Sequence, residues 1–143
     1  MKEGRMSVAI RMIGVGIGAA ALTMGVAGPV QAQSGIIGPS AFTLTVGEGE
    51  AIGTAANQRT VWLVCAPTVF GTHPKSGQAC GELAEAAGNF DKLKGRGTRF
   101  CPFVYRPITV SAQGVWNGTK VSWQHKYANS CERENTDSFV FDF

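Results

Sequence analysis

Two kinds of catalytic signature are missing from this 143-residue chain. It contains no Gly-x-Ser-x-Gly, and its two histidines, His73 and His125, have no recognisable nucleophile as partner. A hydrolase needs a nucleophile and a base that activates it, so the rival reading as a small secreted hydrolase has little to rest on. No Cys-x-x-Cys pair exists either, and the histidines sit at unhelpful spacings, so no zinc site is expected. No cofactor is implied. Glu82 and Glu85 could be taken for an acid and base pair, but they read better as the solvated face of a short helix. Internal repeats and low-complexity segments are absent, and the length suits one domain.

An excess of charge is also lacking once the start of the chain is set aside. Lys2, Arg5 and Arg11 make a basic beginning, Met12 to Ala27 is apolar and uncharged, and Val30-Gln31-Ala32 offers compact residues at a cleavage position. Residues 1–32 therefore read as a secretory signal peptide cut after Ala32, with cleavage after Ala27 as the lesser alternative. The competing reading is a membrane anchor. The run is short and glycine-laden for a spanning helix, and no basic stop-transfer flank follows. Three of the 13 basic side chains and one of the 10 acidic ones lie in this leader, which leaves ten against nine in residues 33–143. That balance gives no electrostatic case for nucleic acid or an anionic membrane as partner. The mature product is expected to be secreted, soluble and extracellular.

What is present is a disulfide count and a set of strands. Cys65, Cys80, Cys101 and Cys131 all follow the leader, and an even number in an exported chain argues for two bridges. Four cysteines admit three pairings, and the sequence alone does not choose. Residues 33–40 read as a mobile arm. Ala41 to Val46 alternates Phe42, Leu44 and Val46 with Thr43 and Thr45, as a half-buried strand does. Gly47 to Glu50 turns the chain. Thr60 to Cys65 reads as a second strand and Gly71 to Gly77 as a loop. Gln78 to Ala87 reads as a helix with Leu83, Ala84 and Ala87 inward, stopped by Gly88, and Asn89 to Leu93 adds a further turn. Ile108 to Trp116 and Thr119 to Tyr127 are extended runs joined at Asn117-Gly118, a strong hairpin signal. The sequon Asn117-Gly118-Thr119 is read as that turn rather than as a glycosylation site. Ser138 to Phe143, with alternating phenylalanines, reads as a last strand. The expected fold class is α+β: an antiparallel sheet of about five strands, one or two short helices on one face, and two disulfides.

The stretch Arg99-Phe-Cys-Pro-Phe-Val-Tyr-Arg-Pro107 stands apart. Pro102 and Pro107 lack an amide donor and push Cys101 and Arg106 toward extended conformations. The segment should be stretched out and unpaired, with large apolar side chains exposed, which suits a protease cleft that pairs with substrate backbone and takes side chains into pockets. Within it, Cys101-Pro102-Phe103-Val104-Tyr105-Arg106-Pro107 resembles the reactive loop of the Streptomyces subtilisin inhibitor family, whose pattern is Cys-Pro-x-Val-Tyr-x-Pro. Leu44 to Gly47, Cys65-Ala66-Pro67, Gly71 to Pro74, Cys80 with Leu83, Gly114 to Trp116, Asn129, Cys131 and Val140-Phe141 extend the likeness over nearly all of the chain after the leader.

The resemblance implies an inhibitor of serine endopeptidases, subtilisin-like and possibly chymotrypsin-like, that binds as a substrate does. It makes Phe103-Val104 the reactive bond, with Phe103 in the primary pocket, Pro102 and Cys101 before it, Phe100 in the fourth pocket and Tyr105 beside the bond. Phenylalanine at that place predicts against trypsin, whose pocket carboxylate would be left unpaired. The resemblance further implies the pairs Cys65 with Cys80 and Cys101 with Cys131, and a homodimer formed through an exposed sheet face. The alternative is a secreted, disulfide-stabilised binding module without inhibitory activity.

Overall fold

A computed structural model of the protein describes residues 38–95, 97, 99–137 and 139–143, and these fall within one compact unit. The expected signal segment and most of the expected arm lie outside the described residues. Five antiparallel strands form one sheet: β1 (Ser40–Glu48), β2 (Ala56–Ala66), β3 (Phe70–Gly71), β4 (Ile108–Trp116) and β5 (Thr119–Tyr127). Their order is β3-β2-β1-β4-β5, with β1 at the centre. Helix α1 (Ser76–Glu85) lies between β3 and β4, α2 (Ser130–Thr136) follows β5, and short 3-10 turns occupy Ile52–Thr54 and Phe90–Lys92.

The period of two in β1 decides which face is buried. Phe42, Leu44 and Val46 point into the core, and in register with them stand Leu63 and Val61 of β2 and Ala112 and Val110 of β4. Ala79, Cys80 and Leu83 of α1, together with Phe90, Val140 and Phe141, close that face. The opposite face carries Thr43, Thr45, Thr60, Trp62, Gln113 and Gln124, and among the described residues no helix packs on it. The hairpin between β4 and β5 turns at Asn117 and Gly118, whose φ values of 48° and 78° are those of a two-residue primed turn.

Several expectations are corrected. The fifth strand is β3, not the C-terminal segment: residues 139–143 form no strand. The Phe139 and Val140 amides donate instead to Glu82 Oε2 at 2.9 and 3.0 Å, and Asp142 N donates to Phe139 O at 3.2 Å. A side chain meets the backbone demand that a neighbouring strand would otherwise meet. Glu82 is accordingly not on a solvated face, while Glu85 is exposed. Helix α1 starts at Ser76 and buries Ala79, Cys80 and Leu83, followed by Ala86, whereas Ala84 and Ala87 are exposed. Its end is a Schellman-type cap with Gly88 N bonded to Leu83 O (2.8 Å), and both Ala87 (φ 52°) and Gly88 (φ 73°) are left-handed. Helix α2 was not expected at all. His73 lies in the loop before α1 and is buried there: Lys75 N donates to its Nδ1 (3.0 Å), so Nε2 carries the proton and donates to Val140 O (3.1 Å). Finally, residues 38–40 of the expected arm are fixed, with Gly118 N on Pro39 O at 2.9 Å and Asn117 N on Ser40 Oγ at 2.9 Å.

Candidate functional site

Residues 99–107 cross from the short turn after α1 to the start of β4 without entering any helix or strand. Pro102 and Pro107 account for that by removing the donors a ladder would use. The apolar side chains face outward. Phe103 is 101% exposed and Phe100 83%, and their rings touch edge to face with centroids 6.4 Å apart. Val104 and Tyr105 are also exposed. A loop that turns this much aromatic surface to water marks a binding surface.

Although the loop leaves the sheet, it is not unpaired. Val104 N donates to Pro102 O (2.9 Å), which closes a tight turn with Phe103 at its apex. Arg106 N donates to Ala128 O (2.9 Å). Most of the remaining ties come from α2 and its cap. Asn129 is the N-cap: its side-chain oxygen accepts from Glu132 N (3.0 Å), and Glu132 Oε2 accepts from Ala128 N (3.1 Å). The same side chain's amide group donates to Pro102 O at 3.3 Å and Val104 O at 3.0 Å. One buried asparagine therefore caps a helix and holds a carbonyl on each side of Phe103.

Upstream, the disulfide Cys101–Cys131 joins the loop to α2 with Cα atoms 5.6 Å apart, and Asn135 bonds both to Arg99 N (3.2 Å) and to Arg99 O (2.7 Å). Arg99 also pairs with Glu134. The second bridge, Cys65–Cys80, lies away from the loop and ties β2 to α1. Downstream, Tyr105 Oη donates to Glu50 Oε1, and Lys126 Nζ reaches Glu50 Oε2 at 2.6 Å and Tyr105 Oη at 3.4 Å. These bonds, the one from Lys126 first and that from Tyr105 second, hold the Glu50 carboxyl below its ordinary value, and the Glu50 bond raises Lys126 in turn.

The loop meets the β4–β5 hairpin through Tyr105 and Lys126 of β5. A groove of about 710 Å³ is lined by Pro102, Val104, Pro107, Asn129 and Cys131 among others. Helix α2 is in turn fixed to the core by Arg133, which donates to Phe141 O (2.5 Å) and pairs with Asp137 Oδ1 (3.3 Å). Burial pushes the Asp137 carboxyl up to about 7, against the opposing pull of Arg133. Among the described residues no group of histidine, cysteine and carboxylate side chains could hold a metal ion.

Residues 38–129 match the family model described as subtilisin inhibitor-like. The chain belongs to the subtilisin inhibitor-like family. Its members are protease inhibitors rather than enzymes. The subtilisin inhibitor-like protein 4 of Streptomyces lavendulae is 44% identical over 115 residues, covering 80% of this chain and 99% of that relative. The subtilisin inhibitor of Streptomyces albogriseolus is 43% identical over 117 residues, 82% of this chain and 81% of the other. Among solved structures, Streptomyces caespitosus sermetstatin in complex with Bacillus licheniformis subtilisin matches with a TM-score of 0.66 and 37% identity, covering 74% of this chain and all of that one.

Phe100, Cys101, Pro102, Phe103, Val104 and Tyr105, the residues the sequence singles out, all lie on the one loop. The sequence assigns no roles to Asn129, Asn135, Glu50 or Lys126. Asn129 had a usable signal, an Asn followed three residues later by Glu, which is how a helix start is written. The contacts of Glu50 and Lys126 with Tyr105 span 55 and 21 residues and leave no local trace.

Proposed function

We propose that this family member inhibits serine endopeptidases of the subtilisin type by offering Phe103-Val104 as a substrate-like bond, with Phe103 in the primary pocket, Phe100 in the fourth, and Cys101, Pro102 and Tyr105 in contact with the enzyme. The observation that carries this reading is the pairing of a wholly exposed Phe103 with a backbone tied on both sides of it by Asn129. A loop already held in its bound shape loses little conformational entropy on docking, so affinity rises without an added contact. Once the bond is cut, both ends stay attached to the scaffold, and the high local concentration of the new amine favours religation over release.

Titrating subtilisin with the purified protein tests this directly. Stoichiometric loss of activity is expected, and undiminished activity would leave only the binding-module reading. Replacing Phe103 with Lys should move inhibition from subtilisin toward trypsin, whose pocket carboxylate pairs with a cation. An unchanged preference between the two enzymes would place the reactive residue elsewhere.

Residues 1–32 fit a signal peptide and the product would then be secreted. The charge and apolar pattern of the leader supports this. The uncovered sheet face, with Trp62 half exposed against Phe70, suits a homodimer. Sedimentation at micromolar concentration should report twice the chain mass, and a monomer there would remove that part of the reading.

A further inference from the structure

The upstream half of the loop is secured by a covalent bridge and by Asn135, but no covalent tie reaches the half that begins at Val104. Hydrolysis of Phe103-Val104 adds the water oxygen to the Phe103 carbonyl carbon and leaves its protons on the new carboxyl and the Val104 amine. Religation depends on that amine staying where it was. Three things restrain its segment: Asn129 on the Val104 carbonyl, Ala128 on the Arg106 amide, and the Tyr105 hydroxyl between Glu50 and Lys126. The third is itself part of the scaffold. Glu50 ends the turn after β1, whose Gly49 donates to Pro107 O (2.8 Å) and accepts from Thr109 Oγ1 (2.7 Å), and Lys126 lies in β5 with its ammonium also over the Tyr105 ring, 6.0 Å from its centroid.

We propose that Glu50 and Lys126 are positioning residues for the leaving-group side of the loop, clamping Tyr105 so that the nicked chain gains little freedom and the reactive bond reseals. This rests on the reading that Phe103-Val104 is the bond offered to the protease. Neither residue need touch the enzyme. The clamp acts on the difference between intact and nicked inhibitor, since a segment freed by losing it would gain conformational entropy only after the cut.

The quantity that isolates this is the hydrolysis constant, the ratio of nicked to intact inhibitor at equilibrium with catalytic subtilisin. That ratio is a property of the inhibitor alone, whatever the protease contacts contribute to affinity. Glu50→Ala and Lys126→Met should each raise it by about three- to tenfold, the size expected for one charge-assisted bond holding an otherwise mobile segment. Tyr105→Phe should do the same, and Tyr105→Phe with Glu50→Ala should add little beyond either single change, because the three groups act as one unit. Melting temperatures should move by no more than about 2 °C, since exposed ion pairs contribute little to global stability. A hydrolysis constant within twofold of the parent in both Glu50→Ala and Lys126→Met would overturn the clamp. A nick mapped by mass spectrometry to a bond other than Phe103-Val104 would overturn the underlying reading instead.

Discussion

Asn129 performs two tasks with two ends of one amide, and the tasks can be separated. In Asn129→Asp the capping oxygen remains, and the added negative charge sits favourably at a helix N-terminus. The donor to Pro102 O and Val104 O is gone, and a carboxylate faces two carbonyl oxygens. Helix α2 should therefore persist while inhibition weakens by about ten- to a hundredfold, the equivalent of one to two buried hydrogen bonds, as measured by the inhibition constant and by circular dichroism. Retained affinity with a melted helix would reverse the assignment. The side chains that carry the surface were legible because proline and exposed aromatics announce themselves locally. The side chains that hold them were not, since Asn135, Glu50 and Lys126 are polar residues whose partners are set by the fold.

Among the elements, those with a strict two-residue alternation or a turn dipeptide were readable from sequence: β1, β4, β5 and the Asn117-Gly118 turn are all where pattern puts them. The failures have physical causes. Phe139, Phe141 and Phe143 alternate like a strand, yet the Glu82 carboxylate takes the amides that a strand would pair. Helix α2, Ser-Cys-Glu-Arg-Glu-Asn-Thr, buries no residue completely, so periodicity is silent there and only its cap speaks. Strand β3 has two residues, too few for any pattern. At the end of α1 Gly88 (φ 73°) stops the helix as its sequence suggests, and Ala87 beside it is left-handed as well, φ 52°, where a side chain is strained. Ala87→Gly should stabilise the protein by about 0.5–1 kcal/mol, readable as a raised urea midpoint. A lowered midpoint would mean that the unfolded chain's gain in freedom outweighs relief of the strain.

Taken as a whole, the molecule should show its buried carboxylate in the pH dependence of stability. Asp137 holds its proton to about pH 7 when folded, against an ordinary value of 3.8. Between those values the folded state binds more protons than the unfolded one, so this group's contribution is fully present below the lower value and falls as pH rises through the window. The slope is at most about 1.4 kcal/mol per pH unit. His73 works in the opposite sense, because burial lowers its value and acid favours the unfolded state. Subtracting the stability curve of Asp137→Asn from that of the parent isolates the carboxylate. The difference should change steadily between pH 4 and 7, and two parallel curves would show that Asp137 is ionised throughout.

The bridge from Cys101 to Cys131 has a consequence for timing. A chain whose two sulfurs are still thiols keeps Phe103 but loses the covalent hold on the segment before it, and bait without that hold is food for the enzyme it should stop. The protein would begin life as a substrate and become an antagonist only once oxidised.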